Sequence, residues 1–267
     1  MAPTKLEDLP THFYKYRSLA GDQRAFTKQI LSEDTLYWAS PLAFNDPFEC
    51  APVPEMPKSR AERESRLRRL IKEHGPPANE ATRREMLSNA MRIPAELYEQ
   101  NLQQHLPNLL QEFAVCSLSA TPKSVLMWSH YADCHRGLCL RFRPLTRDSQ
   151  SPYVPEKTYF ELAYPVAYSA ERPTISIPTG DRVETLERTI LTKADFWRYE
   201  EEWRLIAHTG GPGLRPFPPE CLDAVILGAR MPKQDRDEVK SWTAQRRHPI
   251  TLLEGKFDNR LFQLNIE

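Results

Sequence analysis

A chain of 267 residues, 40% hydrophobic and 27% charged, has enough apolar mass for a sizeable globular core. Its 36 Lys and Arg balance its 36 Asp and Glu, so no net field is present to hold a polyanion, and nucleic-acid binding would need a local basic patch. No stretch approaches the roughly 20 apolar residues of a membrane span, and the polar first ten residues lack the apolar run of a signal peptide.

Five cysteines (Cys50, Cys116, Cys134, Cys139, Cys221) form an odd set that fits a reducing compartment, so a cytoplasmic location is expected. Residues 12–17 read as an aromatic strand, with Phe13 and Lys15 on one face and Tyr14 and Tyr16 on the other. A helix over 22–33 follows, then a short strand from Leu36 to Ala39. Asn45-Asp46-Pro47 is turn chemistry, because Asx side chains satisfy local backbone groups and Pro47 fixes φ.

Residues 58–112 lose aromatic and β-branched density and gain Arg, Glu, Leu and Gln. They predict two or three amphipathic helices, inserted in or capping a single α+β domain over 1–267. The stretch 58–72 is mostly basic; it reads either as a solvated helix face or as a local patch for phosphate. Strands are expected at Phe113–Ser119, Gly137–Phe142 and Leu162–Tyr168, with a helix over Lys123–Asp133. A helix over Arg182–Trp197 then leads to a strand at Trp203–Ala207. The last third predicts a strand (Asp223–Leu227), a helix (Lys233–Arg246) and two strands (Ile250–Leu253, Leu261–Ile266). Strands and helices mix without a regular βαβ rhythm, which favours α+β over a doubly wound sheet.

The familiar phosphate, dinucleotide, nucleophile-elbow and zinc-protease signatures are absent. His130 and His135, five apart on a helical pattern, are no ready metal pair. Four polar-aromatic clusters stand out instead: Tyr14-Lys15-Tyr16-Arg17; Asn45-Asp46-Pro47-Phe48-Glu49; Ser117-Leu118-Ser119 with Met127-Trp128-Ser129-His130-Tyr131; and Tyr199-Glu200-Glu201-Glu202-Trp203-Arg204.

With its N-D-P-F-E, M-W-S-H-Y and Y-E-x-E-W-R motifs, the chain resembles a large bacterial family of unassigned function, domain of unknown function twenty-nine seventy-one. The resemblance runs from Tyr14 to about Gly228 and implies no activity by itself. A second, weaker similarity is to the arginine–serine–glutamate class of mono-ADP-ribosyltransferases, on the order Arg17, Ser117-Leu118-Ser119, Glu200-Glu201-Glu202. It implies a split, mainly antiparallel sheet gripping NAD as substrate. In it Arg17 holds the dinucleotide, Ser119 braces the site and Glu202 bonds the nicotinamide ribose. The chain departs from that class at Leu118, where the pattern has Thr, and in the Met127–Tyr131 cluster.

The residue chemistry suits such a role. If 199–207 is extended, Glu200, Glu202 and Arg204 share one face, with Tyr199, Trp203 and Leu205 on the other. Two carboxylates on one face divide labour: one supports charge growing on a ribose, the other takes a proton. Arg17 suits a pyrophosphate, and Tyr16 or Tyr131 a flat nicotinamide ring.

The expected function is therefore an NAD-dependent ADP-ribosyltransferase-like enzyme, as a toxin, effector or defence component. Glu202, Glu200, Ser119 and His130 are the expected catalytic residues. Arg17, Tyr16, Asn45, Asp46 and Tyr131 are expected to hold NAD, without a metal, and the acceptor is open among protein, nucleic acid and small molecule. Two alternatives remain. One is a hydrolase or nuclease built on Asp46, Glu49, Glu200, Glu202 and His130, with or without a divalent metal. The other is a non-catalytic ligand-sensing or partner-binding module. A structural alternative for Arg17 is a buried bridge to Glu49 or Asp46. The segment Asn45–Glu49 is expected to share a pocket with His130, and Glu202→Gln to cost turnover while barely moving the melting temperature.

Overall fold

The computed structural model describes residues 9–144, 163–176 and 187–267. The chain is α+β. In order it forms β1 (Phe13–Arg17), α1 (Gln23–Glu33), β2 (Thr35–Trp38), β3 (Val53–Glu55), α2 (Arg60–His74), α3 (Glu80–Arg92) and α4 (Ala95–Gln111). Next come β4 (Ala114–Ser119), α5 (Val125–Tyr131), β5 (Leu138–Phe142), β6 (Tyr164–Pro165), β7 (Ala167–Ser169), β8 (Thr174–Ser176), β9 (Thr192–Ala194) and β10 (Glu202–Ala207). Last are β11 (Gly213–Pro216), β12 (Leu222–Leu227), α6 (Lys233–Ala244), β13 (Thr251–Phe257) and β14 (Leu264–Ile266).

Eight strands make the main sheet in the order β14-β13-β12-β5-β1-β4-β10-β6. Neighbours are antiparallel except β12 and β13, which are parallel because α6 carries the chain back across the sheet between them. The central strands β4, β5 and β12 are buried along almost their whole length, the pattern of strands covered on both faces. Alternation divides their side chains between two cores. Phe13, Leu138, Leu140 and Phe142 pack with Ile30 and Leu31 of α1 and Val239 and Trp242 of α6. Tyr16 and Cys139 go to the other face, against Met127 and Trp128 of α5. Arg24 ties α1 to α6 by bonds to Asp235 (2.8 Å) and Glu238.

The stretch from 58 to 112 holds α2, α3 and α4 and no strand. Its basic face is partly spent internally: Arg66 pairs with Glu62, Arg68 with Glu64, and Arg63 donates to the carbonyls of Ala90 and Ile93. No helix among the described residues is long and apolar enough to cross a membrane.

Two expected elements differ. The strand expected at Leu162–Tyr168 is broken in two, leaving aside Leu162, which lies outside the described residues. Pro165 has no N–H to continue a ladder, so β6 pairs with β10 and β7 turns to pair with β9. The helix expected over Arg182–Trp197, whose residues 182–186 also lie outside the described set, gives way to strand β9 at Thr192 and a 3-10 helix at Asp195–Glu200. The helix holds through Ile190, and the β-branched Thr192 favours extended chain after it.

β1 pairs unequally with its neighbours. It runs in register with β5 over all five residues but meets β4 only at Tyr14–Ser119. Gly137 permits the tight side, since a Cβ there would sit 2.2 Å from the Arg17 carbonyl oxygen. On the loose side β1 and β4 part, and the Lys15 Nζ donates across the gap to the Ser117 carbonyl oxygen (2.9 Å).

Candidate ligand-binding cleft

A cavity of about 240 Å³ opens where β1 and β4 part. β1 contributes Tyr14, Lys15, Tyr16 and Arg17; β4 contributes Ser117, Leu118 and Ser119; α5 contributes Met127 and Tyr131. The loop after β2 supplies Phe44, Asn45, Asp46 and Glu49, and the far wall is Lys193, Trp197, Glu200, Glu202 and Arg204.

That wall is a buried charge network. Arg204 grips Glu202 with two N–H groups (2.7 and 2.9 Å), and also donates to Glu49 and to the Ile190 carbonyl. Its guanidinium lies 4.7 Å from the Phe44 ring centre. The Lys193 Nζ donates to Glu200 (2.6 Å) and Glu202 (2.9 Å), with Glu49 at 3.8 Å. The Tyr131 hydroxyl donates to the remaining Glu200 oxygen (2.6 Å). Among the described residues, three carboxylates thus face two cations, leaving one negative charge over when all are ionised.

Turn geometry sets this wall. Asp46 accepts from the Phe48 N–H (2.9 Å) and from the Trp197 Nε1 (2.8 Å), which pins the N-D-P-F-E loop to the 3-10 helix. Cys50 ends that loop in the left-handed region (φ 57°), a conformation rare for a residue with a side chain. Glu201 does the same (φ 43°), capping the 3-10 helix and turning the chain so that Glu200 and Glu202 meet one ammonium. The extended run expected from residue 199 therefore begins only at Glu202; Glu200 reaches the cleft from a turn, while Glu201 is exposed.

Of the residues singled out in the sequence, Arg17, Tyr16, Asn45, Asp46, Ser119, Tyr131, Glu200 and Glu202 line this one cavity. Ser119 is buried and its hydroxyl donates to the Glu200 carbonyl (2.7 Å). Tyr16 is also buried, with its hydroxyl donating to the Thr121 carbonyl and its ring edge-on to Trp128. Arg17 forms neither expected bridge: it donates to Gln23 (2.9 Å) and Thr27 (3.4 Å). His130 is the exception. It is exposed and off the cavity wall, beside the rings of Tyr131 and Tyr199. Met127 and Tyr131, four apart on α5, face the cleft, and a neighbour of Tyr131 is turned about 100° away. Asn45–Glu49 consequently shares its pocket with Tyr131 and not with His130.

Lys193 is not marked by the local pattern, because it falls within the stretch 182–197 where a helix is expected. The β-branched Thr192 beside it is the one local signal for a strand, since Thr189 and Ile190 stay helical. Lys193, Asp46 and Glu49 also line a neighbouring cavity of about 360 Å³, bordered by the exposed rings of Phe48 and Phe196.

The network predicts acid sensitivity. Burial alone would raise the Glu202 pKa, but Arg204 and Lys193 outweigh burial and hold it at about 2. Its contribution to stability is complete above the ordinary value of 4.5 and is lost as pH falls towards 2, amounting to at most about 3 kcal/mol. Glu49 runs the other way: burial raises its pKa despite Arg204 and Lys193, so its contribution favours low pH and trims that loss. Urea midpoints measured between about pH 5 and pH 3 are expected to fall, and to fall less in Glu202→Gln. Equal slopes for both proteins would remove Glu202 as the cause.

Fold and cleft together describe an α+β protein with a charged pocket at a parted sheet. The model of the family described as Protein of unknown function (DUF2971) matches residues 127–205, which takes in the Met127–Tyr131 cluster and the Glu200–Arg204 motif. No curated protein and no solved structure matches the chain.

Proposed function

We propose that this chain is an ADP-ribosyltransferase-like enzyme that binds NAD in the cleft between β1 and β4 and breaks its nicotinamide–ribose bond. The observation that carries this reading is the convergence of Arg17, Ser119, Glu200 and Glu202, distant in sequence, on one cavity. The polarity also suits NAD. Arg17 stands on one wall for an anionic pyrophosphate, and a surplus of carboxylate on the other for a positively charged nicotinamide ring.

Glu202 is bound by two cations, Arg204 and Lys193, whereas Glu200 is bound by one cation and a neutral hydroxyl, so we assign the working carboxylate to Glu200, with Glu202 anchoring the wall. Glu200, oriented by Tyr131 and Lys193, supports positive charge on the ribose as nicotinamide leaves with the bonding electrons. Glu49 lines both cavities and is made a weaker acid by burial; it is set to take the proton of the attacking group.

Titration calorimetry with NAD and a chromatographic assay of released nicotinamide test this reading. NAD is expected to bind and be cleaved. Arg17→Ala should weaken binding roughly tenfold to a hundredfold, the scale of a charge-assisted bond of about 1.5–3 kcal/mol. Absence of NAD binding to the wild type would overturn the proposal. A second reading, a non-catalytic ligand-sensing module, is favoured by the ion pairs that already occupy the cleft carboxylates. It predicts NAD binding with no nicotinamide released. The metal-assisted hydrolase reading is weakened because Lys193 and Arg204 hold the oxygens a divalent ion would need.

A further inference from the structure

The cations of the cleft fall into two groups. Lys193 and Arg204 are matched to Glu49, Glu200 and Glu202. Among the described residues, Lys15 and Arg17 are bonded only to neutral acceptors: Lys15 to the Ser117 carbonyl, Arg17 to Gln23 and Thr27. Among the described residues no carboxylate pairs with either. Burial pulls the Arg17 pKa below its ordinary value, as an arginine without an acidic partner should behave.

Both residues keep donors to spare. An ammonium has three N–H bonds, of which Lys15 uses one; a guanidinium has five, of which Arg17 uses two. They are two apart on one extended strand, so their Cα atoms lie about 7 Å apart and their side chains leave the same face. Both line the cavity at the point where the β1–β4 ladder stops. The protein as a whole is neutral, so this pair of unmatched charges is a local feature and not part of a basic surface.

We infer that Lys15 and Arg17 together form a seat for a pyrophosphate group, with Lys15 the second cation beside Arg17. The bond from Lys15 to Ser117 does the positioning: it holds the ammonium across the gap between the strands while its other two N–H groups face the ligand. The inference deepens the proposed function, resting on it only for the identity of the whole ligand; the seat itself would accept any pyrophosphate-bearing molecule.

The test uses inorganic pyrophosphate as the probe, titrated calorimetrically into the full chain at two salt concentrations, with NAD binding and nicotinamide release measured alongside. Wild type is expected to bind pyrophosphate saturably, and more weakly at high salt. Lys15→Gln keeps an N–H for the Ser117 carbonyl but removes the charge; it should weaken pyrophosphate about tenfold or more while the melting curve stays near wild type. Lys15→Arg should restore most of the affinity. If Lys15→Gln melts early, the comparison passes to Lys15→Arg and Arg17→Lys, which keep the charge and must retain salt-sensitive binding. Wild-type affinity in Lys15→Gln, or no saturable binding of pyrophosphate, overturns the seat. NAD cleavage indifferent to Lys15→Gln would remove the seat and leave the enzyme reading standing. Lys15-dependent pyrophosphate binding without any nicotinamide release would do the reverse.

Discussion

Arg204→Met is expected to destabilise the protein by about 3–5 kcal/mol, the usual cost of removing one partner from a buried ion pair. Arg204 is 1% exposed, and its guanidinium binds Glu202, Glu49 and the Ile190 carbonyl. Methionine fills much of the volume but leaves three carboxylates facing the single ammonium of Lys193. At neutral pH at least one of them must take up a proton or admit water, and either cost falls on the folded state alone. Arg68→Met is the matched control. Its exposed pair with Glu64, four residues earlier on α2, should matter by no more than about 0.5 kcal/mol. Urea unfolding of both variants decides the point; comparable losses would mean that the network contributes little.

Glu200→Gln is expected to lower nicotinamide release at least about a hundredfold, the scale of losing one preorganised electrostatic group at a reacting centre. Glutamine retains the shape, keeps one oxygen to accept from Lys193 and turns its amide N–H to the Tyr131 hydroxyl, which accepts. Stability should therefore fall less than in Arg204→Met. Glu202→Gln is expected to behave differently from the sequence-based expectation: its carboxylate is bound by two cations, so stability drops along with turnover. Glu201→Gln should change neither property, since its side chain is exposed. Turnover and melting curves for the three variants separate these roles. If Glu202→Gln abolishes turnover at unchanged stability while Glu200→Gln is active, the working carboxylate is Glu202 and the present assignment is wrong.

The amino-acid sequence determined the elements wherever one local preference was strong. The aromatic run of β1, the apolar runs of β4, β5 and β12, and the Arg/Glu/Leu helices α2–α4 were all legible, because strand alternation and helix periodicity are written residue by residue. The sequence also marked which short clusters carry polar groups beside aromatic ones, and those of β1, the Asn45–Glu49 loop, β4 and the Glu200–Arg204 segment do line one cavity. Tertiary structure decided the rest. No local pattern reports that β1 pairs fully with β5 yet parts from β4 after Tyr14, because pairing is a property of strands far apart in sequence. Lys193 became the hub of the charged wall only once β7 had paired with β9 and carried it to Glu200 and Glu202. His130 left the site because helix rotation on α5, fixed by the burial of Met127 and Trp128, gave the cleft to Tyr131. Burial chooses which face of an element is used, and burial is settled by the elements packed against it.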